Sequence, residues 1–237
     1  MVRIARRLIV VGILLAAARG AEPDPLTGVV QEIKAALKKG DSIAAANALA
    51  KAAELRWKYE DEKLEPLLNV VGAGIKHKDP TIASVSIRTL AQMRVPGSSG
   101  YLNCRLAVPQ KVGATYWDTH LAAIQAAGEI HERESIPRLL KLVEHPKLDM
   151  AVAAATALGR YAAFAPKERM KLIQRVAGTL AKFEKKKPRK MQGKIHVEKV
   201  TKALIDCARK LTRNGDLASA SDVRTWLREA KKAAGPS

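Results

Sequence analysis

Between residues 167 and 213 the chain holds sixteen Lys and Arg but only four Asp and Glu. Groups of this kind bind anions rather than break bonds, and a surface built from them attracts polyanions with salt-sensitive affinity and little sequence discrimination. On a helix starting at Pro166, Lys171, Arg175 and Lys182 fall within about 20° of the direction opposite Ile173, at 100° per residue. On the following helix Lys199, Lys202, Arg209 and Arg213 oppose Leu204, with Asp206 the one acid among them. Lys185, Lys186, Lys187, Arg189 and Lys190 join the two helices, so all these residues form one candidate partner- or polyanion-binding surface. The plainer reading makes each stripe the solvated face of an amphipathic helix. The scarcity of acids argues against it, because solubility alone does not require that scarcity.

Groups able to do covalent chemistry do not converge. His77, His120, His145 and His196 are scattered without metal-ligand spacing, and His131-Glu132-Arg133-Glu134 is not an HExxH motif. Ser98-Ser99 lies in a Gly-bounded turn but has no G-x-S-x-G elbow around it, and no Gly-rich phosphate loop occurs. The expectation is therefore no enzyme, no metal and no cofactor. A second, weaker set of contact candidates, Tyr101, Arg105, Lys111 and Tyr116, sits in the turn-rich stretch from 95 to 115.

Charge and composition narrow the partners. The 237 residues carry a formal net charge of +19, and aromatics make up only 4%. Few rings are thus available for stacking on bases. Arg3, Arg6 and Arg7 followed by the apolar Leu8–Ala18 read as a signal peptide over residues 1–20, cleaved near Ala18 to Ala21, with a leader at 21–26. The apolar run is shorter than the ~20 residues of a membrane span. The alternatives are an uncleaved anchor or a buried N-terminal helix. Export to a periplasmic or extracellular compartment raises the question of a disulfide between Cys104 and Cys207, which their spacing leaves open.

The elements that must position these groups read as helices throughout. Apolar spacing predicts helices from Thr27 to Lys39, Ile43 to Tyr59 (with Trp57 on its apolar side), Leu64 to Ile75 and Pro80 to Arg94. Residues 27–94 thus form divergent helix pairs, and 95–115 an irregular inserted loop. Helical units return over 116–184, a basic linker spans 185–195, and a basic helix with a capping helix fills 196–237.

Inside the central unit the sequence repeats. Asp118, Ala122, Ala123, Ala126 and Gly128 recur 31 residues later as Asp149, Ala153, Ala154, Ala157 and Gly159. Between the copies, Ser135-Ile136-Pro137-Arg138-Leu139-Leu140 opens another helix. Over about residues 117–162 this pattern resembles HEAT-type repeats of the short class first noted in phycobilisome lyases. The family's frequent Val-Arg pair ahead of the alanines is absent. The resemblance implies an all-α, right-handed α-solenoid of stacked antiparallel helix pairs, about ten helices, used for binding macromolecules; the alternative is an irregular helical bundle.

The functional expectation combines these readings. The chain is read as an exported, non-catalytic scaffold that binds a protein partner or an anionic envelope polymer through its basic C-terminal surface. The alternative is a basic helical-repeat protein that binds nucleic acid.

Overall fold

A computed structural model of the chain describes residues 24–107 and 113–233. The expected signal peptide, its cleavage region, residues 21–23 of the leader and Lys111 lie outside the described residues. Within them the chain is all-helical, with eleven α-helices and no strand. In order these are α1 (Pro25–Lys39), α2 (Ser42–Leu55), α3 (Glu65–Ile75), α4 (Pro80–Met93), α5 (Asn103–Leu106), α6 (Ala114–Ile130), α7 (Ile136–Val143), α8 (Leu148–Gly159), α9 (Pro166–Glu184), α10 (Met191–Thr212) and α11 (Ala220–Ala233). No helix among the described residues is long and apolar enough to cross a membrane.

Helix ends follow from local chemistry. Gly40, at φ 68°, closes α1 in the left-handed conformation while its N–H donates to Leu37 O and the N–H of Asp41 to Ala36 O. The Asp41 carboxylate then accepts from the N–H groups of Ile43 and Ala44, starting α2. Asp79 does the same for Thr81 and Ile82, with Pro80 at the first position of α4.

Packing follows a regular order. Each odd-numbered helix from α1 to α9 packs on the even-numbered helix after it, and the even-numbered helices touch in succession: α2 on α4, α4 on α6, α6 on α8, α8 on α10. Helix α11 packs on α9, where Val223 and Leu227 are buried and Trp226 lies against the core. One apolar core runs through the stack, from Leu26 and Ile33 to Leu211 and Leu227.

Small residues set the closest approaches. A Cβ placed on Gly128 of α6 would lie 2.9 Å from both Cα and Cβ of Ala157 on α8. One placed on Gly159 would lie 3.3 Å from Cys207 Cα on α10. The repeated glycines thus sit where successive even-numbered helices meet.

A longer periodicity emerges from the turns. The N–H of Asp79 donates to His77 Nδ1 at 3.0 Å, and the N–H of Lys147 to His145 Nδ1 at 3.1 Å. These histidines are 68 residues apart, and at that offset Ile75, Ile82, Ala83, Ile87 and Leu90 face Val143, Met150, Ala151, Ala155 and Leu158. All ten are buried. The α3–α4 and α7–α8 pairs are built on one plan.

Three local expectations differ from the structure. The stretch after Val95 is more ordered than its Pro-Gly-Ser-Ser-Gly opening suggests: a 3-10 turn at Ser98–Leu102 leads into α5, and Leu102 and Leu106 reach the core. Helix α10 begins at Met191, leaving only 185–190 between α9 and α10. Helix α2 stops at Leu55, so Trp57 lies in the turn beyond it, 78% exposed, with the Arg56 guanidinium over its ring.

Candidate functional site

The cations of α9 divide between two environments. Leu172, Ile173, Val176, Leu180 and Phe183 are buried, so Lys171, Arg175 and Lys182 emerge on the solvent side as the helical spacing requires. Lys171 and Arg175 line a groove of about 290 Å³ whose apolar wall is Ile136, Pro137, Phe164 and Leu172. Glu168 of the same groove is paired with Arg133. Lys182 instead pairs with Glu144 at 3.1 Å; both side chains are exposed, so the pair adds little stability.

On α10, Val200, Leu204, Cys207, Ala208 and Leu211 are buried, which turns Lys199 and Lys202 outward. They line a groove of about 310 Å³ against α8, with Val152, Thr156 and Ala203. A third lysine, Lys210, joins them. Its stem passes Gly159: a Cβ there would lie 3.2 Å from Lys210 Cδ. An adjoining groove of about 410 Å³ shares Val152, Thr156 and Lys199 and extends to Leu121 and Gln125 of α6. Together the two make a trough across α6, α8 and α10.

Charges in the trough are unequal. Of its acids, Asp206 is engaged by Arg209 at 3.2 Å, and Asp149 lies at the α6 end. Arg160 in the same part pairs with Glu129 at 2.9 Å. None of the ion pairs among the described residues involves Lys199, Lys202 or Lys210. The α9 groove and the α8–α10 groove share no lining residue, and the exposed cations of 185–190 lie between the two helices in the chain.

Several other candidates have internal tasks, and the linker cations are exposed. Arg209 Nε donates to Leu217 O at 2.9 Å, holding the loop after α10, and Arg213 closes that helix at φ 57°. Lys185, Lys186, Lys187, Arg189 and Lys190 are all exposed, with Lys186 Nζ 3.8 Å from the Phe183 ring centroid. Tyr101 packs its ring on Gly72 and donates its hydroxyl to Asn69 Oδ1 at 2.7 Å. Arg105 donates to Ile75 O and His77 O, closing α3, and its guanidinium lies over Tyr116. Tyr116 donates to Lys78 O at 3.3 Å.

Of the groups weighed for catalysis, Ser99 meets Glu132, and His145 lies within electrostatic reach of His120 and His196. Ser98 and Ser99 are buried, and the Ser99 N–H donates to Glu132 Oε2 at 2.9 Å. His120 Nδ1 is 2.6 Å from Arg105 O, and burial lowers its pKa. Burial likewise lowers His131 and His196, aided by nearby cations. No group of three or more metal-ligating side chains occurs among the described residues. Both cysteines are free, Cys104 exposed and Cys207 buried, and burial pushes the Cys207 thiol up to about 12.

Sequence reasoning missed Lys210 because it lies on the flank of α10, not opposite the buried stripe, and no sequence spacing links it to Gly159, whose missing side chain leaves room for its stem. No protein-family model matches the chain, and no curated protein matches it significantly.

Proposed function

We propose that this chain is an exported, non-catalytic scaffold that grips an acidic segment of a partner protein in the trough of α6, α8 and α10. The observation that carries the reading is the set of three lysines, Lys199, Lys202 and Lys210, without ion-pair partners above a floor of Val152 and Ala203. An acidic, partly apolar segment would supply carboxylates to the rim and side chains to the floor. The trough edge is solvent-accessible, so its charges act mainly on encounter rate and partner choice.

We read the architecture as an α-solenoid of HEAT type. Its support is the successive contact of even-numbered helices, the glycine-mediated approaches and the 68-residue agreement between α3–α4 and α7–α8. In this reading α5 is a shortened first helix paired with α6, and α11 caps the end. Export rests on the N-terminal pattern of Arg3 to Ala21.

The test is a fluorescence-anisotropy titration with a synthetic helical peptide of alternating Glu and Leu faces. The unaltered chain should bind it with salt-sensitive affinity. Lys199→Glu with Lys202→Glu and Lys210→Glu should weaken binding at least tenfold while circular dichroism is unchanged. Reversal of Lys171 and Arg175 should matter far less. Equal binding by the triple variant refutes the trough; tighter binding of duplex DNA at physiological salt favours the nucleic-acid reading instead.

A further inference from the structure

The turn between α9 and α10 combines two features that solubility does not call for. Residues 185–195 hold six cations, Lys185, Lys186, Lys187, Arg189, Lys190 and Lys194, and no acid. Within them Met191 is 71% exposed and Ile195 40% exposed. A four-residue spacing on α10 puts these two apolar side chains on one side of its first turns. The other large exposed apolar residues among those described are separate: Ile43 and Trp57 flank the two ends of α2, and Tyr116 donates its hydroxyl to a backbone carbonyl.

Charge at this tip is also arranged against local stability. Lys190 is the N-cap of α10, no side chain accepts from the first N–H groups, and no acid sits in the first turn. Cations there face the positive end of the helix dipole, the unfavourable arrangement. An anionic surface would reverse that sign. The tip is also held in shape: a Cβ on Gly193 would lie 2.8 Å from Pro188 Cβ, so the linker folds back onto the helix. Phe183, beneath Lys186, stacks on His196 at 6.5 Å.

We infer that this tip docks on an anionic lipid bilayer, with Met191 and Ile195 entering the interface among headgroup-bound cations. Charge alone would suit any polyanion; the exposed apolar pair selects the bilayer, because membrane attachment gains from combining a basic cluster with an apolar insertion. The tip shares no residue with the lining of the α6–α8–α10 trough, and the inference does not rest on that reading.

Co-sedimentation of the full chain with vesicles tests the inference. Equimolar phosphatidylglycerol and phosphatidylcholine should bind it; phosphatidylcholine alone should bind it much less. All variants share residues 1–23, so differences between them report the tip. Each cation near an anionic surface is worth about fivefold in partition, so Lys185→Gln with Lys187→Gln and Lys190→Gln should lose about a hundredfold. Met191→Gln with Ile195→Gln, both exposed and of similar helix propensity, should lose about tenfold. The apolar double variant should keep its affinity for the acidic peptide. Equal binding to both vesicle types overturns the inference. So does vesicle binding that the apolar double variant leaves intact while sodium polyphosphate competes fully, which would make the tip a general polyanion site.

Discussion

One substitution at two positions separates close stacking of the helices from mere adjacency. Gly128→Ala places a methyl group 2.9 Å from Ala157 Cα and 2.9 Å from its Cβ, with its carbonyl oxygen at 3.3 Å. Carbon atoms prefer about 3.5–4.0 Å, so α6 and α8 must separate by several tenths of an ångström. The obstacle is backbone and cannot swing aside. Overpacking of this kind costs about 1–3 kcal/mol, against a gain of about 1 kcal/mol from replacing Gly by Ala within a helix. We expect a net loss of up to about 2 kcal/mol. Gly178→Ala on α9 is the control: it is exposed, nothing lies within 4 Å of its added methyl, and propensity alone should stabilise it by about 1 kcal/mol. Urea unfolding followed by circular dichroism reads both, provided the denaturant slope stays constant. Gly128→Ala must come out less stable than Gly178→Ala by about 1–3 kcal/mol. If both variants are stabilised alike, α6 and α8 do not meet at Gly128, and the stacking reading fails at its best-defined contact.

Other outcomes follow from the same side chains. In native protein a thiol reagent should modify Cys104 quickly and leave Cys207 unmodified, because Cys207 is buried and its thiol is pushed up to about 12; denaturation should expose two thiols and no disulfide. Tyr161→Phe should cost about 1–2 kcal/mol in urea unfolding, since its one buried hydroxyl proton is shared between Ala127 O at 3.0 Å and Glu132 O at 3.1 Å. The pH dependence of stability has a fixed sign. His120, His131 and His196 have pKa values lowered by burial, so the unfolded chain binds more protons below about pH 6.5, and stability should fall as pH drops through that value. Replacing His120 and His131 with Gln should flatten that slope; an unchanged slope refutes the assignment.

Much of the helical layout was legible because its signals are local. Asp41 and Asp79 announced helix starts, Gly40 a stop, and the stripe from Val200 to Leu211 named the buried side of α10. Short or masked elements were not. The 3-10 turn and single helical turn of 98–106 are too brief to show a period, and Lys190 to Lys194 hide the start of α10 beneath charge and a glycine. Trp57 fitted the apolar period of α2, but the helix ends two residues before it.

For the candidate site, angles on an isolated helix gave the outward-facing residues but not their neighbours. Lys171 and Lys199 both oppose apolar stripes, yet α7 flanks one and α8 the other, so the two line different grooves. Arg105 and Tyr101 were legible as polar or aromatic loop residues. Their engagement with Ile75 O, His77 O and Asn69 depends on how the 95–107 segment folds back on α3, and no sequence spacing encodes that.

The central claim is that the trough lysines meet the carboxylates of an acidic partner. Carbodiimide, which joins a lysine amine directly to a carboxylate in contact with it, tests this when applied to the chain with the bound acidic peptide and read by peptide-mapping mass spectrometry. Crosslinks should fall on Lys199, Lys202 and Lys210. Crosslinks confined to Lys171 or to Lys185–Lys190, with none in the trough, would contradict the claim.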